Sequence, residues 1–92
     1  MTITSTSMKH NNFVNEPMGD KEVTELAGIS EMLGERLNEA GYDKAYVLLG
    51  RFLVLKKDKE LFKNWMKEVC QATTKQAHDC HKCLSDWCEG FL

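Results

Sequence analysis

Apolar residues recur at helical spacing through most of the chain. In the clearest stretch Leu33, Leu37 and Ala40 stand at positions i, i+4 and i+7, which places them on one face of a helix. Two longer stripes follow, one over residues 61–69 and one over residues 77–91. This pattern predicts an all-α fold, a compact bundle of five or six short helices.

Polar caps and glycines predict where these helices begin and end. Helices are expected over residues 9–16 and 20–27, and four more begin at the N-cap residues Ser30, Asp43, Asp58 and Thr73. Thr73 is followed three residues later by Gln76, the spacing of a capping box. Glycines are typical helix ends, and they are expected to end helices at Gly28, Gly41 and Gly50.

Two segments are predicted not to be helical. Residues 1–8 are polar and are expected to be a flexible tail, which leaves residues 9–92 as a single domain. The apolar run at residues 52–55 resembles a strand, but a lone strand cannot satisfy its backbone hydrogen bonds. We therefore predict a buried connector there.

Size and charge exclude several classes of protein. A chain of 92 residues has room for one small core. Its formal net charge of −2 argues against coating of nucleic acid by bulk positive charge. No apolar run approaches the roughly 20 residues of a membrane span, and the polar N-terminus lacks the apolar core of a secretory signal. The four cysteines are therefore expected in a reducing compartment.

One turn has the pattern of a phosphate-binding motif. Gly28, Ile29 and Ser30 join two predicted helices, as in a helix-hairpin-helix. Glycine permits a sharp turn, and the free amides at the start of the next helix then form a site for a phosphate. From spacing alone, an ordinary corner between two helices is equally compatible with this pattern.

Basic residues near that turn admit two interpretations. Lys56 and Lys57, with Lys9, Arg36 and Lys75, either flank the phosphate-binding turn or belong to a solvated surface of mixed charge.

The cysteines and histidines near the C-terminus favour core packing over chemistry. Cys80 and Cys83 have a spacing that can bind zinc, but a second such pair is missing and Cys80 shares a helical face with Leu84 and Cys88. Free cysteine packs there as a small apolar residue. A zinc-stabilised module is the less favoured alternative. No enzyme motif is found in the sequence, so we predict a non-catalytic protein without metal or cofactor.

Nearly the whole chain resembles the barrier-to-autointegration factor family. The segments that carry the resemblance are Lys9-His10, Glu16-Pro17-Met18-Gly19, Leu26-Ala27-Gly28-Ile29, Asp43-Lys44-Ala45-Tyr46-Val47, Phe52-Leu53-Val54-Leu55-Lys56-Lys57-Asp58, Lys75-Gln76 and Trp87-Cys88. The resemblance implies a helical homodimer that binds double-stranded DNA without sequence preference and bridges two duplexes. It also implies LEM-domain proteins of the inner nuclear membrane, A-type lamins and histones as partners. The implied location is the nucleus, at chromatin and the nuclear envelope, and also the cytoplasm, without direct insertion into a membrane.

The resemblance also assigns site residues by position. The DNA-contact candidates are Lys9, Gly28, Ile29, Ser30, Arg36, Lys56, Lys57, Thr74 and Lys75. The candidates for binding LEM-domain partners are Gly50, Val54 and Leu61, and the candidate phosphorylation sites are Thr2, Thr4, Ser5, Thr6 and Ser7.

One departure from the family pattern keeps a second function open. The turn of the family usually reads Gly-Ile-Gly, whereas Ser30 occupies the last position here. DNA binding then requires that the backbone geometry at Ser30 suit a serine. The alternative is a dimeric adapter for LEM-domain and lamin partners with weakened or lost DNA binding.

Overall fold

The computed structural model describes residues 5–92, with side chains from residue 8 onward. In chain order these residues form α1 (Ser5–Val14), a 3-10 helix (Val23–Glu25), α2 (Glu31–Glu39), α3 (Ala45–Val54), α4 (Lys59–Cys70) and α5 (Thr74–Phe91). The predicted all-α bundle is confirmed. No helix within this part of the chain is long and apolar enough to cross a membrane.

Three predicted N-caps are confirmed. Ser30 of α2, Asp58 of α4 and Thr73 of α5 each accept a hydrogen bond on the side chain from the backbone N–H three residues later. At α5 the Gln76 side chain also accepts from the Thr73 N–H at 2.9 Å, which completes the capping box. These local polar patterns therefore fix the starts of three helices.

The first helix begins earlier than predicted. α1 starts at Ser5, inside the segment expected to be a tail, and it ends at Val14, two residues short of the predicted end. The candidate phosphorylation sites Thr2 and Thr4 lie outside the described residues. Flexibility of residues 1–8 stays a prediction.

The helix predicted over residues 20–27 is wrong in extent, because only the 3-10 helix forms there. The cause is a pairing between distant segments. The Val23 N–H donates to the Asp43 carbonyl at 3.0 Å, and the Ala45 N–H donates to the Lys21 carbonyl at 2.9 Å. Backbone groups that a longer helix would pair internally are thus committed to the start of α3.

Both predicted ends of α3 are wrong. The N-cap is Lys44, with no side-chain hydrogen bond, and not Asp43. Gly50 does not end the helix, which continues through it to Val54. A Cβ atom added at Gly50 would meet nothing within 4 Å, so no contact requires glycine there, and a glycine inside a helix costs only about 1 kcal/mol relative to alanine.

The predicted buried connector at residues 52–55 is also wrong, because most of it is the last turn of α3. Phe52 is fully buried, whereas Leu53 and Val54 are 40% and 68% exposed. The apolar run therefore has two sides, one in the core and one at the surface.

The core lies where α5 packs against α1 and α4. Its largest fully buried side chains are Phe13, Phe52, Phe62, Leu26, Ile29, Leu37, Leu48, Met66 and Leu84. Cys70, Cys80, Cys83 and Cys88 are free and buried, as core packing predicts. Burial raises the pKa of the Cys83 thiol to about 11. Within residues 5–92, no group of three or more His, Cys, Asp or Glu side chains is placed to hold a metal ion.

Candidate nucleic-acid interface

The predicted phosphate-binding turn is built directly against α5. Gly28 has a φ of +85°, in the left-handed region that favours glycine. A Cβ atom there would collide with the Gln76 carbonyl oxygen and lie 3.1 Å from the Cys80 nitrogen. Ile29, which is 1% exposed, inserts into the core beside it. Only glycine allows the turn to approach α5 this closely.

The backbone at Ser30 suits a serine. Its φ and ψ are −77° and 173°, an extended conformation open to any L-residue. Its hydroxyl accepts from the Leu33 N–H at 3.2 Å. The N–H groups of Glu31 and Met32 lie in the first helical turn, where an α-helix provides no backbone partner. They are therefore available to an anion.

The N-terminus of α5 meets the N-terminus of α2 at this turn. The Thr73 hydroxyl accepts from the Gln76 N–H at 3.1 Å, which leaves the N–H groups of Thr74 and Lys75 without helical partners. Both helix ends open into one depression of about 300 Å³, which we call the turn depression. Its lining residues are Lys9, Gly28, Ile29, Ser30, Thr73, Lys75, Gln76 and Asp79.

Two lysines add positive charge to the turn depression. Lys9 Nζ, on α1, donates to the Ile29 carbonyl at 2.7 Å, so its ammonium group is held at the turn. Burial lowers the pKa of Lys9 from its ordinary value. Lys75 is largely exposed, and its Nζ lies 2.9 Å from Asp79 Oδ2, a carboxylate that lines the same depression and offsets this charge. Helix N-termini and ammonium groups together form a site suited to a phosphate.

The lining of the turn depression does not include four of the predicted DNA-contact residues, namely Arg36, Lys56, Lys57 and Thr74. Arg36 Nη1 donates to the Cys70 carbonyl at 3.1 Å, at the C-terminal end of α4. Lys56 and Lys57 form the corner between α3 and α4, each with a φ of 62°. Contact with DNA stays a prediction for these four residues, as it does for the others.

The candidate partner-binding residues lie on exposed surface. Val54 on α3 and Leu61 on α4 are 68% and 52% exposed, and Gly50 is exposed on α3. Tyr46 and Leu53 are also exposed, and residues 46, 50, 53 and 54 have the spacing of one helical face. We call this face the α3 apolar surface. Ser5, Thr6 and Ser7 form the start of α1, and their phosphorylation stays a prediction.

Sequence reasoning missed three residues of the turn depression: Thr73, Gln76 and Asp79. The capping box at Thr73 and Gln76 was recognised, and it marks the free amides of α5. The approach of α5 to Gly28, across about fifty residues of chain, has no local signal.

Comparison with known proteins gives a consistent result along nearly the whole chain. The family model described as barrier to autointegration factor matches residues 4–91. The barrier-to-autointegration factor of Drosophila melanogaster is 68% identical over 90 residues, which cover 98% of this chain and 100% of that protein.

Two vertebrate relatives agree. Barrier-to-autointegration factor A of Xenopus laevis is 62% identical, over 98% of this chain and all of that protein. The Homo sapiens factor is 59% identical, over 96% of this chain and 99% of that protein. The names of these relatives and of the family describe a factor and no catalytic activity. This agrees with the prediction that the protein is not an enzyme. The chain belongs to the barrier-to-autointegration factor family.

Proposed function

We propose that this protein binds double-stranded DNA without sequence preference and bridges two duplexes as a homodimer. The observation that carries the proposal is the turn depression, where two helix N-termini and the Lys9 ammonium meet beside Gly28. Such groups recognise a backbone phosphate and carry no information about the base sequence. Local contacts of this kind are compatible with the net charge of −2.

The homodimer is the part of the proposal that makes the protein bivalent. The α3 apolar surface is our candidate for contact between subunits and for LEM-domain partners. Its aromatic and aliphatic residues leave apolar area exposed, which is typical of an interaction surface.

The cellular role follows from family membership and the resemblance. We infer that the protein links chromatin to the nuclear envelope through LEM-domain proteins, A-type lamins and histones. It acts in the nucleus and also in the cytoplasm, and kinase action on Thr2, Thr4, Ser5, Thr6 or Ser7 releases DNA.

The adapter without DNA binding is the less favoured function. The reason to consider it is that Ser30 replaces the usual glycine of the turn. The extended backbone and the cap hydrogen bond of Ser30 are compatible with a serine at that position, which weakens this reason.

Co-capture of two duplexes tests bridging. One duplex is biotinylated and the other, of unrelated sequence, is fluorescent, and the protein is asked to carry the second onto streptavidin beads. We expect capture that falls steeply with salt, because each neutralised phosphate contributes about −0.9 to the log–log slope. Lys9→Met should weaken capture, whereas Lys67→Met, at an exposed position of α4, should not. No capture by folded, dimeric protein would favour the adapter.

A further inference from the structure

Among the described residues that line the turn depression, Asp79 alone is acidic. Its side chain is 17% exposed, and its Cβ atom would lie 3.1 Å from a Cβ atom added at Gly28. The carboxylate therefore stands beside the turn whose amides are available to a phosphate. Two negative groups in one depression repel each other, so Asp79 opposes the ligand that the rest of the depression favours.

Asp79 also holds one of the two ammonium groups of the depression. Lys75 Nζ lies 2.9 Å from Asp79 Oδ2, and the Lys75 side chain is 80% exposed. The other ammonium, that of Lys9, donates to the neutral carbonyl of Ile29. Of these two lysines, Lys75 is the one whose charge is offset by the group that it contacts.

The stability of α5 does not account for this pair. Lys75 is the second residue of α5, at the positive end of the helix dipole, where a cation is unfavourable. Within a helix, an acidic residue four positions before a lysine stabilises more than the reverse order, which is the order found here. A role toward an anionic ligand explains the position of Lys75 better than helix stability does.

A bound phosphate changes what Lys75 can contact. Its ammonium is a compact charge on a long, flexible side chain, so it can turn from the carboxylate to a phosphate at the turn. If it turns, Asp79 loses the contact that compensates its charge, at a largely buried position where an unpaired charge is costly. If it does not turn, the phosphate binds without Lys75. In both cases the carboxylate lowers the affinity for the phosphate.

We propose that Asp79 limits the affinity of the turn depression for a DNA phosphate by competing with that phosphate for the ammonium group of Lys75. This inference rests on the proposed DNA binding. It makes Asp79 the residue that holds each duplex contact below the strength that the two lysines and the helix amides would otherwise give.

Duplex binding by Asp79→Asn tests the proposal, because asparagine keeps the shape of the side chain and removes its charge. Fluorescence anisotropy titrations are made with two short duplexes of unrelated sequence, at low and at moderate salt. We expect affinity to rise by up to about fivefold at low salt, since an ion pair of this exposure no longer has to be broken. The gain should shrink as salt screens the charges. Unchanged or weaker binding would overturn the proposal, and weaker binding would make Asp79 a residue that positions Lys75 for the phosphate.

A second variant tests whether the effect passes through Lys75. Lys75→Gln should weaken binding and make the log–log salt slope shallower by about one. Adding Asp79→Asn to Lys75→Gln should then give little gain, because no ammonium remains for which the carboxylate can compete. An equal gain with and without Lys75 would show direct repulsion of the phosphate, and it would overturn the competition.

Asp86→Asn is the matched control, because it removes the same charge from a similar pair on the same helix. Lys82 Nζ lies 3.2 Å from Asp86 Oδ2, again four residues apart, and Asp86 does not line the turn depression. Its affinity should equal that of the parent protein. A gain as large as that of Asp79→Asn would assign the effect to net charge and overturn the proposal. Circular dichroism checks that every variant keeps its helices.

Failure of this inference differs from failure of the proposed function. If Asp79→Asn binds both duplexes as the parent protein does, while Lys9→Met weakens binding, the turn depression binds DNA and Asp79 does not limit it. If neither the parent protein nor Asp79→Asn binds a duplex at low salt, both proposals fall.

Discussion

Gly28 meets two separate constraints, a left-handed backbone and a close approach to α5. Gly41 meets only the first, with a φ of +96° and nothing within 4 Å of an added Cβ atom. The two glycines therefore separate the cost of backbone strain from the cost of collision with the Gln76 carbonyl.

We predict that Gly28→Ala lowers the free energy of unfolding more than Gly41→Ala does. Left-handed strain alone costs about 1 kcal/mol, and overpacking against Gln76 adds about 1–3 kcal/mol. Gly28→Ala should also weaken duplex binding, because it displaces the turn amides from the start of α5. Urea unfolding and anisotropy measure the two effects. Equal losses of stability in both variants would show that the approach to α5 carries no cost.

At the scale of the element, the N-cap of α2 fixes the conformation of the chain where the turn joins the helix. The Ser30 hydroxyl occupies the Leu33 N–H and leaves the two preceding amides for a ligand. Cap stability and DNA binding thus depend on different groups of the same turn.

We predict that Ser30→Ala lowers the free energy of unfolding by about 1 kcal/mol, because the Leu33 N–H loses its partner. Ser30→Gly should cost only a few tenths of a kcal/mol. Both variants should keep the salt dependence of duplex binding, since the amides of Glu31 and Met32 are unchanged. Thermal unfolding and salt titration provide the measurements. A large loss of affinity in either variant would mean that the hydroxyl itself contacts the phosphate.

Elements whose signals are local are those that the sequence predicts well. The caps at Ser30, Asp58 and Thr73 act within one helical turn, and all three are confirmed. The segment at residues 20–27 fails because its backbone pairs with the start of α3, far along the chain. The predicted end of α3 is wrong because the helix continues through Gly50, where a glycine costs only about 1 kcal/mol relative to alanine.

The candidate site likewise contains features with a local sequence signal and features that depend on distant contacts. The turn at Gly28 is evident from its sequence pattern, whereas the meeting of α2 and α5 depends on packing between distant segments. Lys9 is one of five basic residues that the sequence admits as neighbours of the turn. Its bond to the Ile29 carbonyl is a tertiary contact, which has no local signal.

At the scale of the whole molecule, four buried thiols make the fold sensitive to alkali. Burial raises the pKa of Cys83 from 9.0 to about 11 and raises those of Cys70, Cys80 and Cys88. Between pH 9 and pH 11 the native state keeps the Cys83 proton, whereas the unfolded chain has lost it. The native state then binds more protons, so stability falls as pH rises through this window.

We predict that Cys83→Ala loses less stability than the parent protein over this alkaline window. The shift at Cys83 corresponds to about 3 kcal/mol, to order of magnitude. Urea unfolding in reducing buffer, at pH values on both sides of the window, measures the difference between the two slopes. Parallel slopes would exclude Cys83 as a source of the alkaline sensitivity.

Bridging is a property of the dimer, so it should be separable from binding. Val54 is 68% exposed on the α3 apolar surface, far along the chain from the turn. We predict that Val54→Asp gives a monomer, because a buried, unpaired carboxylate at a subunit interface costs several kcal/mol. The monomer should bind a single duplex with the salt slope of the parent protein, because each duplex contacts one turn depression, and it should fail to co-capture two.

Sedimentation measures the oligomeric state and the bead assay measures bridging, both on the same sample. Val54→Ala is the control, because it removes apolar area without adding charge and should weaken dimerisation less than Val54→Asp does. If Val54→Asp remains a dimer, the α3 apolar surface is not the subunit interface. If it is a monomer that still bridges, each subunit has two separate duplex sites.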